Sequence, residues 1–133
     1  VDWNVTYMEP EVIDKINILQ ATLKSMHTNL DNLMIDVDHI LVDGTNFNKY
    51  SNIPYTCVEK GDNKYYSIAA ASILAKVEHD WYIEELCKKN PELDEKYDLL
   101  NNMGYGTKKH MESIKKYGTT QFHRKSFGIC KFY

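Results

Sequence analysis

The chain has 133 residues, 43% of them apolar, and a net charge of −3, a balance that suits one domain with a real core and argues against disorder. No run of eighteen apolar residues occurs, so no membrane-spanning helix is expected, and VDWNVTYMEP has neither the basic nor the apolar segment of a secretory leader. Cys57, Cys87 and Cys130 are odd in number and lack C-x-x-C spacing, the pattern of free thiols in a reducing compartment, cytoplasm or nucleus.

In chain order, Val12, Ile16, Leu19, Leu23, Met26 and Leu30 recur at intervals of four and three, which predicts one helix from Pro10 to about Leu30. Pro10 suits its first turn, where a missing N–H costs nothing. IDVDHILVDG predicts a strand, NFNKYSNIP a connection rich in turn formers, and YTCVEK a second strand. YYSIAAASILAKVEHDWYIEELCKKNP predicts a long helix with Ala70, Ile73, Leu74, Val77 and Trp81 on its core face and Pro91 as its stop. PELDEKYDLL reads as a short helix, NNMGYGT as a glycine-broken loop and KKHMESIKKY as a helix closed by Gly118. The tail TTQFHRKSFGICKFY is irregular, basic and aromatic. Two strands rarely stand alone as a sheet, so either the helices supply most of the core or further strands complete the sheet from another segment.

The two strand ends carry the first chemical signal. Ile40-Leu41-Val42 stops at Asp43-Gly44, and Tyr55 to Val58 is followed by Lys60-Gly61-Asp62. Each acid–glycine pair alone is ordinary turn chemistry. Together they place two carboxylates beyond the carboxyl ends of neighbouring strands, if these are parallel, where hard cations such as Mg²⁺ and Mn²⁺ and a phosphate oxygen find room. Lys60 would share a side with Asp62 on an extended strand, and Lys76 lies mid-helix, where a solvated lysine is the ordinary reading. Tyr105 stands between two glycines, free to offer its ring to a base or sugar. FHRKSF sets His123, Arg124, Lys125 and Ser126 between two phenylalanines, a mixture that suits a phosphate backbone. Residues 108–133 hold seven bases and one acid on an otherwise acidic chain, as for a polyanion held at one edge. His110 reads as structural rather than catalytic.

Six stretches, IDKINILQATLKSM, LVDG, KGD, SIAAASILAKV, GYGT and GTTQFHRKSF, resemble the ribonuclease HII (type 2 ribonuclease H) family in order and approximate spacing. The resemblance implies an α/β fold of the ribonuclease H type, here one domain over 1–133 forming the family's central and C-terminal part. It implies an endonuclease that hydrolyses the RNA strand of RNA/DNA hybrids and nicks 5′ of ribonucleotides embedded in DNA, with Mg²⁺ or Mn²⁺ as cofactor. Asp43 and Asp62 match the third and fourth of the family's four metal-binding carboxylates. Tyr105 matches the tyrosine that senses the ribose at the RNA–DNA junction, and Lys60, Ser72, Lys76, His123 and Arg124 match positions near substrate. The family's opening Gly-x-Asp-Glu-Ala-Gly-Arg-Gly stretch, which brings the first two carboxylates, has no counterpart within residues 1–133. Two aspartates cannot build a bridged pair of ions, so the chain alone is expected to be inactive unless a complementing N-terminal segment joins it. Other readings are a non-catalytic hybrid-binding remnant and a helical interaction domain. His79 stands where an arginine is usual, and Met103 where a lysine is.

Overall fold

The computed structural model describes all 133 residues. The elements are α1 (Pro10–Ile16), α2 (Ile18–Asn32), β1 (Ile40–Asp43), β2 (Tyr55–Val58), α3 (Tyr66–Lys89), α4 (Pro91–Tyr97), α5 (Leu99–Asn102) and α6 (Lys108–Tyr117), with 3-10 turns at Gly61–Asn63 and Gly128–Phe132. They form two compact units, one of Val1–Met8 with Asn17–Lys76, the other of Glu9–Ile16 with Val77–Tyr133. The chain is helix-rich with a small parallel sheet, as an α/β reading expects. No helix is long and apolar enough to cross a membrane.

In the first unit β1 and β2 pair in parallel, Ile40 opposite Tyr55 and Asp43 opposite Val58. Parallel partners need a long crossover, usually a helix; here residues 44–54 serve instead, and side chains fasten them to α2. His27 Nε2 donates to the Asn48 carbonyl at 2.9 Å, and the Tyr50 hydroxyl donates to Asp31 at 2.7 Å. The rings of His27, Phe47, Tyr50 and Tyr55 pack in a chain with centroids 5.0–5.3 Å apart. Ala21, Leu23, Ile40, Val42 and Ile68 are the buried apolar residues of this unit.

The single helix expected over residues 10–30 is two. Asn17 interrupts it with φ 69° and ψ 167°, a region that side chains other than glycine rarely enter and that costs about 1–3 kcal/mol. Its side chain offsets part of that by capping α2, accepting the Gln20 N–H at 3.0 Å. The expected stripe is accordingly wrong in part: Leu19 is 44% exposed, whereas Ile13 and Ala21 are buried.

The core face assigned to the long helix is also corrected. Ile73, Val77 and Trp81 are 63%, 60% and 54% exposed, and the buried residues are Ile68, Ile83 and Cys87. At ~100° per residue the two sets centre ~130° apart, with Cys87 only ~40° from Ile73. A helix apolar over so wide an arc leaves a periodicity argument free to centre the core face wrongly.

In the second unit Ile83 and Cys87 of α3, Leu93 and Tyr97 of α4, Leu99 of α5 and Ile114 of α6 make one core, flanked by Phe122, Ile129 and Cys130 from the tail. α6 ends as the sequence predicts: Gly118, at φ +80°, turns the chain and returns its N–H to the Ile114 carbonyl at 2.8 Å. The tail is irregular but anchored. The Asp14 carboxylate of α1 accepts the backbone N–H groups of Lys125 and Ser126 at 2.9 and 3.0 Å and the Ser126 hydroxyl at 2.6 Å.

The Ser126 hydroxyl, then the Ser126 amide, hold the Asp14 carboxyl below its ordinary value of 3.8. A depressed carboxylate contributes stability above its unfolded pKa and loses it as pH falls through the folded one. We expect Asp14→Ala to cost about 1 kcal/mol at neutral pH, because these charge-assisted bonds are part-solvated. The urea midpoint should fall, and its gap from the unsubstituted chain should narrow below pH 3.8. An equal gap at every pH would contradict the carboxylate's role.

Candidate active site

The parallel register carries β1 and β2 to the same end, where Asp43 is the last residue of β1 and lies exposed. Its backbone neighbour continues the pairing, the Gly44 N–H donating to the Val58 carbonyl at 2.9 Å. Beyond β2 the chain turns sharply. Lys60 adopts the left-handed conformation, φ 51° and ψ 44°, and Gly61–Asn63 wind into a 3-10 turn. That turn aims the Gly61 N–H at Asp43 Oδ1, 2.9 Å away. Asp62, next in the chain, is exposed on the same turn.

Gly61 is where a side chain cannot fit. An added Cβ would lie 2.6 Å from Ile68 Cδ1, 3.3 Å from Ile68 Cγ2 and 3.4 Å from Asp43 Oδ1. Glycine here lets the turn close over buried Ile68 and reach the carboxylate. The structure thus brings the two acids onto adjoining segments, linked by one hydrogen bond. The extended reading of Lys60 fails, because β2 ends at Val58 and the left-handed turn separates Lys60 from strand alternation. No group of three or more His, Cys, Asp or Glu side chains is placed to hold a metal ion. Carboxylates such as those of Asp43 and Asp62 are the donor type that hard cations take, in greater number than two.

Ser72 and Lys76 are exposed on α3. The Ser72 hydroxyl donates to the Ala69 carbonyl of its own helix at 2.8 Å.

In the second unit the GYGT loop leaves Tyr105 72% exposed. Its backbone is firmly held, however. The Tyr105 N–H donates to the Asn102 carbonyl at 3.0 Å, and its own carbonyl accepts from the Thr107 N–H at 2.9 Å and His110 Nδ1 at 3.0 Å. Buried Asn102 supports the preceding residue, its Oδ1 accepting the Gly104 N–H at 2.9 Å while its amide donates to the Tyr97 carbonyl at 2.7 Å. Sequence reasoning missed Asn102; the signal was an amide one residue before a turn that needs positive φ at Met103 and Gly104.

His123 points inward. Its Nε2 lies 3.0 Å from His110 Nε2, its Nδ1 accepts the Thr120 N–H at 3.0 Å, and its ring packs on Tyr97 with centroids 4.9 Å apart. Arg124, beside it, is exposed and sits over the Phe127 ring, 5.1 Å from the centroid. Arg124 is therefore outward and the His123 imidazole internal. Burial, then the neighbouring His110, lower the His123 pKa from 6.5 to about 4. The titratable groups facing it are His110 from α6 and the Tyr97 phenol from α4.

A histidine depressed in this way binds its proton more readily when unfolded, so it destabilises the fold as pH falls from 6.5 toward 4. The full interval corresponds to roughly 3 kcal/mol, and partial exposure discounts it to about 1–2 kcal/mol. We expect the urea midpoint to decline over that window and His123→Gln to flatten the decline. An unchanged profile in the variant would remove His123 as the cause.

The comparisons agree with the motifs. The Ribonuclease HII family model matches residues 1–130. The chain is similar to a protein named ribonuclease HII from Phocaeicola vulgatus, 50% identical over 127 residues that cover 96% of this chain and 61% of the relative. The one from Bacteroides thetaiotaomicron is 49% identical over 127 residues, covering 96% and 62%, and that from Francisella tularensis subsp. novicida 44% identical over 127, covering 94% and 65%. The chain thus spans about three-fifths of the length of the curated relatives it matches. With the motif order, the parallel sheet and the family match in agreement, the chain belongs to the ribonuclease HII family.

Proposed function

We propose that residues 1–133 act as one domain of an endonuclease that cleaves the RNA strand of RNA/DNA hybrids and nicks 5′ of ribonucleotides embedded in DNA. The observation that supports this most is the Asp43–Gly61 hydrogen bond at the shared end of β1 and β2, which ties the end of β1 to the turn that carries Asp62. Hard, exposed carboxylate oxygens at that end fit Mg²⁺ or Mn²⁺, and Asp43 and Asp62 would hold the ion in part. When bound, the ion supplies Lewis acidity toward the scissile phosphate. The Gly61 amide donates to Asp43 Oδ1 and so restrains the carboxylate, leaving its other oxygen for a ligand. Lys60 and Lys76 supply positive charge for phosphates near that end, and Ser72 a polar contact. Tyr105 offers its ring to the ribose of the junction, and Arg124, outward on the tail, pairs with backbone phosphate.

Full activity needs the further carboxylates of the family's Asp-Glu stretch, supplied as a complementing segment. The test adds a peptide or protein bearing that stretch, Mn²⁺ and a duplex with one ribonucleotide. Nicking 5′ of the ribonucleotide that depends on Asp43 is the expected result. Absence of cleavage in every complemented form, with salt-sensitive hybrid affinity that survives Asp43→Asn, would replace this reading by a non-catalytic hybrid binder. Absence of any nucleic-acid affinity would leave an interaction domain. An intracellular compartment, cytoplasm or nucleus, suits both the substrate and three free cysteines.

A further inference from the structure

Tyr105 and Arg124 lie on different segments of the second unit, and a short polar chain joins the backbones that carry them. Its donors and acceptors are fixed by groups that have no choice. The Tyr105 carbonyl can only accept, so the hydrogen in its 3.0 Å bond belongs to His110 Nδ1. Neutral His110 then presents a bare Nε2. At the other end the Thr120 N–H can only donate, so His123 Nδ1 is bare and the ring carries its hydrogen on Nε2. That hydrogen faces His110 Nε2 across 3.0 Å. One arrangement of neutral tautomers satisfies all three bonds: Thr120 N–H to His123, His123 to His110, His110 to the Tyr105 carbonyl.

A second proton on His110 would set two N–H groups against each other. Moving the His123 hydrogen to Nδ1 would relieve that clash and create another with the Thr120 N–H. The Thr120 hydroxyl, 2.9 Å from His123 Nδ1, accepts the Phe122 N–H at 3.1 Å and so closes the tail's own turn onto the same ring. Tyr97 packs on both imidazoles, with centroids 5.9 Å from His110 and 4.9 Å from His123, and its hydroxyl donates to the Gly118 carbonyl at 2.8 Å. The pair thus packs against the Tyr97 ring and has no ring nitrogen left for a ligand.

Tyr105 itself is mostly exposed, and its one ring neighbour, His79, is 6.2 Å away and tilted. Its aim is therefore set by its backbone rather than by side-chain packing. We propose that His110 and His123 are positioning residues, a pair of imidazoles of fixed tautomer that holds the Tyr105 loop and the Arg124 tail in one register for reading the ribose. This rests on the reading above that Tyr105 meets the ribose. Neither histidine touches substrate; each acts through its neighbour, and an ångström-scale drift of a positioning group is enough to reduce discrimination strongly.

The test has two arms on the 133-residue chain. Nitrogen-15 spectra of labelled histidine at neutral pH should show His110 protonated on Nδ1 and His123 on Nε2. The second arm measures the affinity ratio between a duplex with one ribonucleotide and its all-DNA counterpart. His110→Ala should lower that ratio by about tenfold. His110→Asn, whose amide can still donate to the Tyr105 carbonyl, should restore most of it, a rescue that general core loss would not produce. Where His110→Ala fails to melt cooperatively, His110→Asn against His110→Leu gives the same comparison. Either histidine in the opposite tautomer, or an undiminished ratio in the non-donating variant, overturns the proposal. Correct tautomers with no ribonucleotide preference in the unsubstituted chain would instead sink the Tyr105 reading, and the positioning role with it.

Discussion

If the proposed activity holds, Asp43→Asn should lower nicking at a single embedded ribonucleotide by the complemented chain at least ~100-fold, while the urea midpoint should stay close to that of the unsubstituted chain. The two halves of this expectation come from the same bond. Asparagine keeps an Oδ1 that can accept the Gly61 N–H, so the turn beyond β2 stays closed and the fold is little affected. What disappears is a full negative charge at the strand end. Loss of one preorganised electrostatic group at a reacting phosphate or carbonyl costs about 10²–10³ in rate, and loss of a charged donor to a hard cation also weakens its binding. Asp62→Asn should act in the same direction. Rates within threefold of the parent for Asp43→Asn, measured at saturating Mn²⁺, would mean that Asp43 is an ordinary turn residue.

Gly61→Ala should produce the largest loss that leaves every charge in place. The new methyl would start 2.6 Å from Ile68 Cδ1 and 3.3 Å from Cγ2. Ile68 is buried, so Cδ1 has little room to swing aside and Cγ2 must also give by a few tenths of an ångström, which pushes on the turn. Overpacking of this kind costs about 1–3 kcal/mol, and the displaced amide no longer reaches Asp43. The urea midpoint and nicking should therefore fall together. Combining Gly61→Ala with Ile68→Val, which removes one methylene from the crowded side, should recover part of the stability. If Gly61→Ala alone melts like the parent, the close approach described for this turn does not constrain it.

Much of the element order was legible from residues alone, since helix ends carry chemical punctuation: Pro91 opens α4, and Gly118 closes α6. The place of Asp43 at a strand end was legible too, because a short apolar run ending in an acid and a glycine constrains where the acid can sit. Orientation was harder to read. The stripe through Ile73, Val77 and Trp81 is genuine periodicity, yet α3 buries the adjoining arc through Ile68, Ile83 and Cys87. Asn17 looks like any polar residue on a helix surface, and only its backbone angles show that the helix stops there. Lys60 was misread because strand alternation was extended two residues past the end of β2. His123 reads as a surface base in FHRKSF, whereas its inward turn depends on a partner 13 positions earlier, a distance at which local pattern carries no information.

The Asp14 anchor also dictates an order of assembly. Its partners lie 111 and 112 positions further along the chain, so ribosomal synthesis leaves α1 waiting until Lys125 and Ser126 emerge. Closing so long a loop is slow for entropic reasons, whereas β1 and β2 can register as soon as their eleven-residue crossover exists. Docking of the tail onto Asp14 then belongs among the last events of folding, and a stalled chain would hold the sheet while lacking that clasp.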